Sequence, residues 1–203
     1  MRDWQDYWER GETPWDKGEA APPLLECLEG GFGEFLKSAR VLVPGCGSGH
    51  DVRALVAAGA EVTGMDLSAK AVEVAEGWEP VGDEMFLEGD FLAGDLAGFD
   101  AIWEHTCFCA IEPDQRDAYV AAAAMAVREG GRFYGVFYLT PDNDEDGPPY
   151  GTEIDEIVGR FSPWFTLLDG RVPERAFPGR EGREWLAVFE RLGTEVAPGG
   201  NDD

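Results

Sequence analysis

The sequence predicts an α/β domain built on a doubly wound, mostly parallel sheet, and three stretches carry that expectation. Arg40-Val41-Leu42-Val43-Pro44 is a short apolar run entering the turn Gly45-Cys46-Gly47-Ser48-Gly49, where every second residue is glycine. Residues 53–58 are rich in good helix formers, Gly59 closes them, and Glu61-Val62-Thr63-Gly64-Met65-Asp66 follows as a strand-like run ending on an acid. Strand, glycine turn, helix, strand, acid is the layout of a Rossmann-like nucleotide-binding β-α-β unit. Two further strand-like runs, 165–169 and 184–191, read as a closing antiparallel pair near the C-terminus.

The chemistry of that unit follows from its residue types. Glycines let backbone come close to a ligand, and Asp66 is placed to accept hydrogen bonds from ribose hydroxyls. His50 holds the position where a dinucleotide fold wants its third glycine. The spacing therefore suits a ligand with an adenosine but no pyrophosphate, S-adenosylmethionine.

At 203 residues the chain is expected to form one domain over residues 1–196, with an aromatic segment over 1–20 and a disordered tail over 197–203. No apolar run reaches about 18 residues, and Met1-Arg2-Asp3-Trp4-Gln5 lacks the apolar core of a signal peptide, so a cytoplasmic location is expected. Cys27, Cys46, Cys107 and Cys109 have no Cys-x-x-Cys spacing, which argues for reduced thiols and against zinc. Sixteen basic against 41 acidic residues give a net charge of −25, which repels phosphate backbones and anionic lipid. The partner expected is thus a small molecule, with neither nucleic acid nor membrane, and the chain a monomer or weak homo-oligomer. The acidic cluster over 142–146 lacks the glycine and terminal glutamate of a calcium loop, so no metal is expected there.

Taken in order, residues 3–10 place Trp4, Tyr7 and Trp8 at i, i+3 and i+4, the spacing of one aromatic helix face, with Gly11 and Thr13-Pro14 ending the helix before Trp15. Two readings suit that face: a staple pinning the terminus to the core, or a lid whose indoles attract a sulfonium. Leu24, Leu25 and Leu28 mark a short amphipathic helix, and a brief helical piece leads into the first strand. Ser68 is a natural N-cap for a helix to about residue 78. A third strand is expected over 85–91, ending at Asp90 and Phe91, a carboxylate for an adenine amino group and a ring for its face. A fourth strand over 99–106 puts Glu104 and His105 at the carboxyl edge, where ligands of such sheets sit. Pro113 opens a helix that Arg128 and Gly130 close, residues 132–139 are strand, and a helix over 152–160 precedes the antiparallel pair.

Four groups of residues resemble the thiopurine S-methyltransferase family, including its bacterial members and the plant halide and thiol methyltransferases. They are Trp4-x-x-x-Trp8 with Thr13-Pro14-Trp15-Asp16, the segment from Val43 through the glycine turn to His50-Asp51, Phe108-Cys109-Ala110-Ile111-Glu112-Pro113, and Gly147-Pro148-Pro149-Tyr150. The resemblance implies a seven-strand class I methyltransferase fold and methyl transfer from S-adenosylmethionine to a small thiol or similar soft nucleophile. It implies cofactor contacts at Trp4, Trp8, Trp15, Gly45, Gly47, Asp66, Asp90 and Phe91, with Glu104 and His105 beside them, and favours the lid. His105 stands where relatives often carry tyrosine, and Thr106-Cys107 also departs from the family pattern, which bears on acceptor choice.

In-line methyl transfer asks little of side chains, because a thiol of pKa about 8.5 is already partly ionised at neutral pH. His105 is the candidate catalytic residue, as base for a thiol proton, with shaping of the pocket as its other reading. Tyr150, Arg180 and Arg183 are candidates for the acceptor side, and solvated ion pairs explain the arginines equally well. Cys107 and Cys109 read as filler. Rival readings are an oxygen or nitrogen acceptor on the same scaffold, and a domain that binds the cofactor without turnover.

Overall fold

The computed structural model describes residues 3–139 and 147–193. Seven strands form one sheet: β1 (Arg40–Pro44), β2 (Glu61–Asp66), β3 (Met85–Glu88), β4 (Phe99–His105), β5 (Val127–Tyr138), β6 (Phe165–Arg171) and β7 (Glu184–Arg191). Their order is β3-β2-β1-β4-β5-β7-β6. The first five strands run parallel, and β7 lies antiparallel between β5 and β6. The order reverses between β1 and β4, which opens a crevice at the strands' carboxyl ends.

Among the described residues, six α-helices accompany the sheet: α1 (Trp4–Arg10), α2 (Pro22–Glu29), α3 (His50–Ala57), α4 (Ala69–Glu76), α5 (Arg116–Ala126) and α6 (Ile154–Phe161). Strand alternation gives the sheet two apolar faces. Ile102, Phe133, Phe137 and Phe189 pack with Tyr119 and Val120 of α5 and Ile157 and Phe161 of α6. Val41, Val43, Trp103 and Val136 face the other way, onto Leu24 of α2 and Val52 and Leu55 of α3.

Local chemistry sets the helix ends. The Asp3 side chain accepts from the Asp6 N–H to start α1, and Gly11 at φ 66° ends it. Ser68 caps α4 by accepting from the Ala71 N–H. Three boundaries differ from the sequence expectation. The third strand stops at Glu88, because the Asp90 carboxylate accepts from the Leu92 N–H and folds Phe91–Ala93 into a 3-10 turn. Pro113 opens a separate 3-10 turn over Pro113–Gln115, and α5 starts at Arg116. That helix ends at Ala126, short of Arg128 and Gly130, because Val127 pairs with Phe99 and draws the chain into β5. The acidic cluster over 142–146 and the tail over 197–203 lie outside the described residues. Among those described, no helix is long and apolar enough to cross a membrane, and no cluster of metal-ligating side chains forms.

Candidate functional site

Gly45 and Gly47 adopt φ of 61° and 52°, a region that favours glycine. Their turn brings the Gly47 N–H to Asp66 Oδ2 at 2.9 Å, while Asp66 Oδ1 accepts from the Ser68 N–H at 2.9 Å. Asp66 is thus locked at the end of β2 beside the turn. Burial pushes its carboxyl above the usual value, against the pull of the N–H donors of Ser68, Gly47 and Leu67.

These residues open onto a cavity of about 430 Å³. Trp4, Tyr7 and Trp8 of α1 and Trp15 form one wall, with the Trp15 ring centroid 5.4 Å from Trp4, 5.7 Å from Tyr7 and 6.3 Å from Trp8. A β-carbon added at Gly47 would stand 3.3 Å from Trp8 Cζ2, so the indole rests directly on the glycine turn. At Gly45 the added carbon would stand 3.0 Å from the Cys107 side chain. Asp90 and Phe91 line the cavity after β3, with the Phe91 ring 4.9 Å from that of Tyr119.

Glu104 and His105 part company. Consecutive strand residues point to opposite faces, and neither lines this cavity. Glu104 is fully buried, accepts from the Phe108 N–H at 2.8 Å, and burial pushes its carboxyl up to about 7. His105 lines a smaller adjoining space of about 80 Å³ together with His50, Asp51 and Phe177. Its Nδ1 is 3.9 Å from Asp51 Oδ2 and its Nε2 is 3.8 Å from Glu184 Oε1, ion-pair distances too long for hydrogen bonds. Asp51 is itself engaged, accepting from the Ala21 N–H and the Trp103 indole. His50 opens α3 and sits 3.5 Å from Asp16. Both spaces share Gly45, Gly47, Trp8, Trp15 and Thr106 as walls. Thr106 holds φ 68°, a strained conformation for a β-branched residue, at the end of β4.

Glu112, Pro148, Pro149 and Arg180 also line the larger cavity. Arg180 lies 3.2 Å from the buried Glu184 carboxylate and stacks over Tyr138 at 4.9 Å, so it is no solvated surface cation. Tyr150 lines neither space, and its hydroxyl donates to Glu112 Oε2 at 2.7 Å. Arg183 lines neither space; its carbonyl accepts from the Leu139 N–H. Cys107 and Cys109 line the cavity as protonated thiols, for burial pushes the first well above its usual value and the second to about 12. Sequence reasoning passed over Gln5 and named Thr106 and Glu112 only as members of longer stretches. Glu112 carried a signal by its place in the stretch from Phe108 to Pro113, and Thr106 by the departure of Thr106-Cys107 from the family pattern.

The lining fits S-adenosylmethionine: indole faces suit a sulfonium, and the carboxylates Asp66, Asp90 and Glu112 outnumber Arg180, the single cation among the described lining residues. Comparison with known proteins agrees. The family model for thiopurine S-methyltransferase matches residues 1–170. Thiocyanate methyltransferase 1 of Brassica oleracea is 36% identical over 93% of this chain and 84% of its own length. A thiopurine S-methyltransferase of Pseudomonas paraeruginosa is 29% identical over 78% and 80%. Among solved structures, one describing conversion of a disulfide into a thioacetal in echinomycin biosynthesis superposes with a TM-score of 0.71 at 25% identity, covering 92% of this chain and 91% of the other. The 1,6-didemethyltoxoflavin N1-methyltransferase of Burkholderia thailandensis, which holds S-adenosylhomocysteine, superposes at 0.69 with 20% identity over 93% and 85%, a likeness of fold. The chain belongs to the thiopurine S-methyltransferase family and is an S-adenosylmethionine-dependent methyltransferase, for which methylation of a small thiol or similar soft nucleophile fits.

Proposed function

We propose that the larger cavity seats the cofactor against the glycine turn and takes a compact thiol or thiocyanate-like anion at the end bounded by Glu112 and Arg180. The observation that carries this reading is the continuity of one cavity from Asp66 to Arg180 beneath the indoles. Its volume of about 430 Å³ lies towards the small end of ligand pockets, about 300–1,000 Å³. With an adenosyl compound seated, little room remains, which favours hydrosulfide, methanethiol or thiocyanate over a thiopurine.

When bound, S-adenosylmethionine supplies an electrophilic methyl group on a sulfonium. Asp66 would take the ribose, Asp90 and Phe91 the adenine, and Gly45 and Gly47 the backbone approach. Trp4, Trp8 and Trp15 would face the sulfonium and exclude water. Holding the acceptor in line supplies about 7–11 kcal/mol through orientation, and an apolar, proline- and tryptophan-lined space strips hydration from an anion. Arg180 draws the acceptor in, with its charge balanced by Glu184, while Cys107 and Cys109, kept as thiols, do not compete for the methyl group. His105 lines the smaller adjoining space and is read as shaping it, with the base role as the alternative. The net charge of −25 supports a small-molecule partner over nucleic acid or lipid, and the four free cysteines fit a reducing, cytoplasmic compartment; the reading keeps a monomer or weak homo-oligomer.

The test is a panel of sulfide, methanethiol, larger thiols, thiopurines, thiocyanate and halides with labelled cofactor. The expected result is highest kcat/KM on the smallest soft nucleophiles. Turnover confined to oxygen or nitrogen acceptors, or cofactor binding with no turnover, overturns the reading.

A further inference from the structure

Helix α4 begins beside Asp66, and its first N–H groups need acceptors that the helix itself cannot provide. Ser68 Oγ accepts from the Ala71 N–H at 3.1 Å. The second acceptor comes from 65 residues away in sequence: Gln5 Oε1, on α1, takes the Lys70 N–H at 3.1 Å. The same oxygen receives the Ser68 hydroxyl at 2.7 Å. The other end of the Gln5 amide donates to Glu9 Oε1 at 2.8 Å, which sets its orientation on α1.

Gln5 therefore sits at the end of a chain of contacts that starts in the glycine turn. Gly47 donates to Asp66, the Ser68 N–H donates to the other oxygen of Asp66, and the Ser68 hydroxyl donates to Gln5. Trp4 and Trp8, its neighbours on α1, line the cavity. A helix of seven residues is far below the roughly 12–15 needed for stability in isolation, so α1 holds its place through such tertiary contacts.

We propose that Gln5 is a positioning residue, a latch that seats the tryptophan-bearing α1 over the cofactor cavity by completing the N-terminal cap of α4. The proposal rests on the reading of α1 as a cover for bound cofactor. The chemistry requires an acceptor at this position: both partners are donors, and a side chain without an acceptor leaves them to water and α1 untethered. It acts on cofactor retention and on the seating of the indoles, without itself touching the reacting atoms.

The test is hydrogen exchange of residues 3–15 with and without S-adenosylhomocysteine, alongside binding and kinetics, in wild type, Gln5→Ala and Gln5→Met. Wild type should show strong ligand-dependent protection of this segment. Both variants should lose it, and their Kd for S-adenosylhomocysteine should rise by roughly ten- to hundredfold, the scale of losing two hydrogen bonds. The value of kcat at saturating cofactor should fall as well, because an unseated α1 no longer holds Trp4 and Trp8 over the sulfonium. The double change Gln5→Glu with Glu9→Gln restores an acceptor at one position and a donor at the other, and should restore protection. Protection in wild type that persists in both variants with unchanged Kd overturns the latch alone. A lower ligand-free melting temperature with unchanged Kd also overturns it, since that marks a purely structural role. Absence of protection in wild type overturns the cover itself, and the latch with it.

Discussion

Glu104 and His105 are neighbours on β4, yet the first is sealed beneath the turn that leads to Phe108 and the second faces the smaller space behind the glycine turn. A base must reach the proton it removes, either directly or through one water. His105 does not line the space proposed for the acceptor. His105→Ala should therefore slow matched thiols of high and low pKa by similar factors, within about tenfold, below the 10²–10⁴-fold range of a lost general base. Rates for a shape-matched thiol series at saturating cofactor check this; a loss confined to weakly acidic thiols would restore the base role.

Glu104 makes a prediction about pH and stability. Burial raises its carboxyl from 4.5 to about 7, so between these values the folded protein holds a proton that the unfolded chain has released. The contribution of this group to stability is fully present below pH 4.5 and is lost as pH rises through about 7. Glu104→Gln keeps an acceptor for the Phe108 N–H and removes the titration. It should flatten the fall in stability across that window by up to about 3 kcal/mol. Urea unfolding of both proteins at pH 5 and pH 8 reads the difference; parallel pH dependences would count against a protonated Glu104.

Asp66→Ala should weaken S-adenosylmethionine and S-adenosylhomocysteine alike by roughly 1.5–3 kcal/mol, the range for hydrogen bonds to a charged partner. It also leaves the N–H groups of Gly47 and Ser68 without their acceptor, so a drop in melting temperature should accompany it. Calorimetric titration separates the two effects, and unchanged affinity would remove Asp66 from the site.

Gly47→Ala tests the contact between turn and indole. At φ 52° a side chain costs about 1–2 kcal/mol, and the new carbon would press on Trp8 from 3.3 Å. The expected outcome is a modest loss of stability with a larger loss of cofactor affinity and altered tryptophan fluorescence. A stability loss alone would mean that Trp8 yields without consequence for the site.

What the residues determined unaided is local. The glycine turn, the acid closing β2, the Ser68 cap and the aromatic face of α1 each need only a few neighbouring positions, since φ preference, capping and helical period act within one or two turns of chain. The family resemblance, carried by four short segments, extended that to fold and cofactor. Other features required the folded chain. The sequence placed Glu104 and His105 together at the carboxyl edge; in the fold they point to opposite faces, and which face adjoins the cavity depends on where α1 and the loop after β4 settle. Helix α5 stops at Ala126 because Val127 finds Phe99 on β4, and no pattern within the helix announces it. Tyr150 spends its hydroxyl on Glu112, 38 residues away, and Gln5 meets Ser68 across 63. Such pairings depend on how the assembled sheet and its packed helices bring distant segments within hydrogen-bond range, a distance that neighbours in sequence do not encode.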